Sequence, residues 1–353
     1  MEATGLDVGV LLHEGALSEQ VQESRRELLE RRRARLVATA TATMSVSATG
    51  SATVSVSAGA GANLLGCVEG VLVMRAGWIA PWLDAEQRSA LRHHLTCTAR
   101  GEGLAGEGLA GGWSCGAGSC PLCSGVDDCC GYDTATRCLT EVDAISAGLI
   151  RHLVSQRADA GYPARVLTLA TPEVVAQAQG RLAQALDLLA AYVPWWDALR
   201  ESTARRLVLF ESPHLLGFSS PLVPQTLFVN ATCDVLRLAE RLVHEATHLQ
   251  VYDAQDVLRF TDAPGTLLIS SPLRADRRPV LGVLHATVVS ARVVAAMRAV
   301  SSGADGELAA SASAVAARVT ASVVAGSAEL LANGQLTSAG KALVCSLDDV
   351  VTG

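Results

Sequence analysis

Residues 238–250 read LAERLVHEATHLQ, and the interpretation of this stretch decides the fold. Leu238, Leu242, Ala246 and Leu249 recur at helical spacing, and Asp234 just upstream suits an N-cap, so the segment is expected to be an amphipathic helix. Inside it, His244-Glu245-Ala246-Thr247-His248 places two imidazoles four residues apart, one above the other, where both can bind one metal ion. Glu245 can touch that ion or a water bound to it. With 8 histidines in 353 residues, chance would produce H-E-x-x-H in roughly one such chain in a hundred. Two histidines and a glutamate on one helical stretch would also be costly to bury unliganded. The spacing therefore predicts a metal site. Glu240, one turn before His244, either accepts the other ring N–H of that histidine or faces solvent.

The chemistry depends on a third ligand. A metzincin requires glycine and histidine three and six residues after the second motif histidine, where this chain has Val251 and Ala254, so that class is excluded. A thermolysin-like protease would take a glutamate from a following helix. The downstream acids Asp253, Asp256, Asp262, Asp276, Asp305 and Glu307 sit in no helical glutamate motif, and Glu329 is far down the chain. The better candidate is His285, within 279–298 (PVLGVLHATVVSARVVAAMR). That run reads as a second helix, opened by Pro279 and striped by Val283, Ala286, Val289 and Val293.

Together these residues resemble the HExxH-containing proteins of ribosomal-peptide biosynthetic clusters, described as iron(II)/2-oxoglutarate-dependent peptide β-hydroxylases. The resemblance lies in LAERLVHEATHLQ and in 271–285 (SPLRADRRPVLGVLH), where Ser271, Pro272, Arg274, Asp276, Arg278, Pro279, Gly282 and His285 match the family pattern. A weaker match is 217–230 (GFSSPLVPQTLFVN), similar to a Ser-rich turn and strand before the metal helix. The match covers about 207–298. It implies Fe(II) held by His244, His248 and His285, with 2-oxoglutarate and O2 as cosubstrates and a precursor peptide as substrate. Three histidines depart from the usual two-His-one-carboxylate set. The distal carboxylate of the cosubstrate needs a cation, for which Arg278, Arg274 and Arg292 are the candidates. Glu245 would then act beside the ligands rather than as a protease base. The other chemistry open to the motif is a zinc hydrolase in which Glu245 polarises a zinc-bound water. A non-catalytic peptide-binding scaffold is a third possibility.

Composition sets the outer bounds. A net charge of −7 with no basic block argues against nucleic acid, and the Arg-rich run 25–35 is broken by Glu and Leu. No signal peptide pattern is evident, and the longest uncharged stretch, 37–68, is too weakly apolar for a membrane span. A cytoplasmic protein without a membrane partner is expected. Two regions are anticipated. Residues 1–139 would form an N-terminal helical region with a low-complexity segment (37–66) and a Cys-rich loop (115–138). Residues 140–353 would form the metal-binding catalytic domain. Cys115, Cys120, Cys123, Cys129, Cys130 and Cys138 include one C-x-x-C and could hold a structural zinc. Trp78 and Trp82 read as packing residues.

The elements follow from local signals. A capping box at Thr140 and Asp143 predicts a helix over 141–157. Thr171-Pro172-Glu173 opens another that runs to about Tyr192. Short strands are expected at 207–210, 226–229 and 267–269, and two or three tail helices broken at Asn333-Gly334. The fold class is mainly α with a small β element, the HExxH metal helix packed beside a second ligand-bearing helix.

Overall fold

The computed structural model describes residues 168–352 apart from Arg205 and Leu222, together with Glu27, Tyr132–Asp133 and Cys138–Leu139. The low-complexity segment, the expected helix over 141–157, Trp78, Trp82 and all of the clustered cysteines except Cys138 lie outside the described residues. What is described is mainly helical with a small sheet beside it.

Three short strands come first: β1 (Tyr132–Asp133), β2 (Cys138–Leu139) and β3 (Thr168–Leu169). Helix α1 (Pro172–Tyr192) begins where expected, with the Thr171 hydroxyl accepting from the Val174 N–H and proline in the first turn. Its core stripe is Val175, Ala178, Leu182, Ala185 and Leu189, all buried. After α2 (Trp196–Thr203) come β4 (Arg206–Glu211), β5 (Gly217–Ser220) and β6 (Val223–Asn230). β4 and β6 cover the two expected strands; β5 arises inside what the sequence suggests is only a turn.

The sheet runs β1-β2-β4-β6-β5, with β3 also on β4. β4 is parallel to β2 (Cys138↔Leu207) and to β6 (Leu207↔Leu227), while β5 folds back antiparallel on β6 (Phe218↔Phe228). Leu207, Val208, Leu209 and Phe210 are all buried, as expected of a central strand covered on both faces. Because β1 and β2 lie before residue 140, the sheet reaches across the expected boundary between the two regions.

β6 leads directly to the motif helix. The Asn230 amide donates to the Ser212 and Leu215 carbonyls at 2.6 and 2.8 Å. Arg181 on α1 donates to the Ala231 and Cys233 carbonyls at 2.8 and 3.2 Å. These bonds satisfy the turn's buried carbonyls and fix where the next helix starts. That helix, α3 (Val235–Gln255), is capped by Asp234, whose Oδ1 accepts from the Arg237 N–H at 2.8 Å. A two-stranded ribbon, β7 (Leu268–Ile269) and β8 (Arg278–Pro279), then opens α4 (Val280–Gly303), followed by α5 (Gly306–Asn333) and α6 (Ser338–Thr352).

Two clusters of buried side chains share α3 and α4. One joins α3 and the C-terminal half of α4 to α1, α2, the sheet and the first half of α5; the other joins the N-terminal half of α4 to the second half of α5 and to α6. α4 and α5 are both long and apolar enough to cross a membrane. In α4, 78% of the apolar window is buried inside the protein, against 22% in α5, so core packing accounts for the composition of α4 alone.

Candidate metal centre

On α3 the turns that precede and follow His244 are fixed by burial of Leu238, Leu242, Val243, Ala246 and Leu249. His244, His248 and Tyr252 stand at i, i+4 and i+8 on the face left partly open. The rings of His244 and His248 meet edge-on with centroids 5.0 Å apart. Tyr252 lies 6.2 Å from His248 and 4.6 Å from His285, ring to ring.

His285 reaches this face from the second turn of α4. Its Nδ1 is 3.3 Å from Nδ1 of His248, the two rings being nearly parallel with centroids 5.5 Å apart. Two imidazole nitrogens on one ion, each at about 2.0–2.1 Å, are separated by about 3.3–3.4 Å in tetrahedral geometry and by about 2.8–3.0 Å at cis positions of an octahedron. The pair thus has the bite of a chelate, made by residues 37 apart in sequence. His244 stands beside it without having converged: among the described residues no three His, Cys, Asp or Glu side chains form a ready-made cage. The same approach serves as a ring-to-ring hydrogen bond when one Nδ1 carries a proton, and the donor set would fit an ion through these two nitrogens with His244 adjacent.

Proton competition at these rings is weak. Burial, and then the charge of His248, pulls His285 down to about 3. His244 keeps a quarter of its side chain exposed. Even so, burial, with Arg241 and His248 nearby, holds it well below the usual imidazole range. Neutral imidazole is the form that binds a metal.

Glu245 is 2% exposed and turned toward the sheet. Ser219 Oγ on β5 donates to its Oε2 at 2.9 Å, and its Oε1 lies 3.9 Å from His244 Nε2. Glu240 does neither of the two things the sequence offers. It is 3% exposed, so it does not face solvent, and it is clamped by Arg237 and Arg241, so it is not spent on His244. The reason is local: two arginines on adjoining helical positions outcompete a neutral imidazole for a buried carboxylate.

The three candidate arginines are in different surroundings. Arg274 is exposed in the turn between β7 and β8. Arg278, with 31% of its side chain exposed, donates from Nε to Asp276 Oδ2 at 3.2 Å. Arg292 is 1% exposed; it lies over the Trp195 ring at 4.5 Å and donates to Gln250 Oε1 at 3.4 Å. Burial draws its guanidinium down to about 9. Glu329 is used structurally, its Oε1 accepting from the Ser270 N–H at 3.0 Å.

Three site residues escaped sequence reasoning. Tyr252 could have been found, since it extends the His244–His248 face by one more turn. Gly217 and Ser219 carried only the weak signal of the Gly-Phe-Ser-Ser run. No protein-family model matches the chain, and no curated protein matches it.

Proposed function

We propose that the protein is an iron(II)/2-oxoglutarate-dependent dioxygenase that hydroxylates a side-chain β-carbon of a ribosomally made precursor peptide. The observation that carries the reading is the 3.3 Å approach of His248 to His285. It joins the two sequence segments whose combination resembles the peptide β-hydroxylases. The HExxH helix α3 and the helix α4 would then be the metal helix and its ligand-bearing partner, with His244, His248 and His285 as the iron ligands.

Bound iron would supply the oxidation in which 2-oxoglutarate, O2 and a peptide C–H become succinate, CO2 and a C–OH. The chain's own residues do the rest. His248 and His285 would offer one ring nitrogen each, His285 as a neutral imidazole, and His244 would complete one face, leaving the opposite face for cosubstrate. Arg278 is the first choice for the distal carboxylate, because its guanidinium is partly exposed and already donates to one carboxylate, that of Asp276, through Nε. Arg274 is the second. Arg292 would serve only by leaving Trp195 and Gln250. Glu245 places a buried carboxyl group beside His244, and Tyr252 walls the site on the His285 side.

A zinc hydrolase is the second reading, favoured by the position of Glu245 Oε1 beside His244. The two separate cleanly. The protein is incubated with the precursor peptide encoded nearest its gene, with iron(II), 2-oxoglutarate and O2, and the peptide is weighed. A gain of one oxygen that requires all three supports the oxygenase. Cleavage with zinc alone, indifferent to 2-oxoglutarate, supports the hydrolase.

A further inference from the structure

The geometry points to Gly217 and Ser219 of β5 as positioning residues that aim the Glu245 carboxylate at the metal site. This rests on the reading that His244, His248 and His285 hold a metal ion. At 2% exposure Glu245 has almost no water to orient it, so its carboxylate takes its direction from protein groups. Ser219 Oγ binds Oε2 at 2.9 Å. A Cβ added at Gly217 would stand 3.0 Å from Oε1 and 3.3 Å from the Glu245 Cγ. It would also stand 3.2 Å from the Phe228 carbonyl, so a side chain at 217 would press Oε1 and the neighbouring strand out of their present places. That same Oε1 is the oxygen 3.9 Å from His244 Nε2.

The two oxygens are thereby divided. Oε2 is tied to the strand, and Oε1 is kept between the strand backbone and the first motif histidine. A separation of 3.9 Å is too long for a hydrogen bond. It is short enough in a buried site for the carboxylate form to favour a cation on that imidazole. Loss of Ser219 takes away the bond to Oε2, and a side chain at 217 crowds Oε1. A purely structural serine would do something different: its loss would cost stability and leave metal affinity alone.

The test is a cobalt(II) titration of the full-length protein, followed by visible absorption, with thermal melts of each metal-free variant alongside. Ser219→Ala is expected to weaken cobalt binding about tenfold and to change the cobalt bands. Ser219→Thr, which keeps the hydroxyl, stays near wild type. Gly217→Ala leaves Ser219 in place and is expected to weaken binding to a similar degree; because its Cβ also meets the Phe228 carbonyl at 3.2 Å, a loss at an unchanged melting temperature supports the idea and a loss seen only with a lowered melting temperature counts against it. Ser219→Ala combined with Glu245→Ala binds no more weakly than Glu245→Ala alone, because the serine acts through the carboxylate. Unchanged affinity and bands in folded Ser219→Ala and Gly217→Ala overturn the inference, as do losses that simply add in the double variant. A wild-type protein that takes up no cobalt overturns the metal reading itself, and this inference with it.

Discussion

His285 is the residue on which the site turns, since His244 and His248 alone occur on one helix and need no tertiary structure to meet. Its ring is buried, neutral and in contact with His248. His285→Ala should therefore weaken binding of a divalent metal by at least about a hundredfold, as His248→Ala should. Equilibrium dialysis with metal analysis checks this, and full stoichiometry in His285→Ala would remove it from the ligand set. The arginines divide by a second measurement. Arg278→Ala should raise the 2-oxoglutarate requirement by one to a few orders of magnitude while leaving the melting curve within about 0.5 kcal/mol of wild type. Arg292→Ala should instead destabilise the fold by about 3 kcal/mol, because it empties a fully buried volume over Trp195. A 2-oxoglutarate titration and a urea melt of each variant decide the matter. His244 and His248 were legible as a pair because residues four apart on a helix share a face. It did not reveal that Ser219 would find Glu245 across 26 residues, or that Glu240 would be taken by its neighbours Arg237 and Arg241.

Helices with a recognisable start were legible. Thr171 before Pro172 and Asp234 before Val235 both cap as their side chains suggest. α4 was legible as a helix but not as a core helix, for its expected stripe became burial on almost every side. The cause is α5, which the sequence could not place against it. At their crossing, a Cβ on Gly326 would lie 2.3 Å from Thr287 Oγ1, which is itself bonded to the Val283 carbonyl at 2.8 Å. Two effects compete in Gly326→Ala. Helix propensity would raise stability by about 1 kcal/mol, whereas overpacking costs about 1–3 kcal/mol. With no flexible side-chain end to yield, overpacking wins. The variant should lose about 1 kcal/mol or more in urea unfolding, and Thr287→Ala in the same chain should restore part of it. A more stable Gly326→Ala would mean that α4 and α5 do not approach so closely. β5 was missed for a different reason: Gly-Phe-Ser-Ser has no strand signature of its own and is held by Phe218 stacked on Phe228 at 4.3 Å.

Over the whole molecule, the sheet hides its organisation best. β2 and β4 pair although nearly seventy residues separate them, and no periodicity announces a parallel partner. Folding also fixes the charge state of the site. Both His244 and His285 are lowered in the fold, principally by burial, while an unfolded histidine titrates near 6.5. Between that value and about 3, where His285 at last accepts a proton, the unfolded chain binds more protons than the folded one. Stability must then fall as the pH falls, by up to about 1.4 kcal/mol per pH unit for each such histidine, and these groups contribute no slope above about 7. For the metal-free protein, moving from pH 7.5 to pH 5 should cost about 2 kcal/mol through His285 alone. His285→Leu removes that titration without opening the core, so its urea midpoint should shift less over the same interval. Arg241 and the buried carboxylates of Glu240 and Glu245 remain in both proteins, whereas His248 touches His285 and changes with it, so the comparison is made in a His248→Leu background, where that coupling is absent. Equal pH slopes with and without His285→Leu in that background would mean that His285 is not held neutral. A shallower slope in the double variant would establish that the fold itself keeps the imidazole deprotonated, as a metal ligand must be.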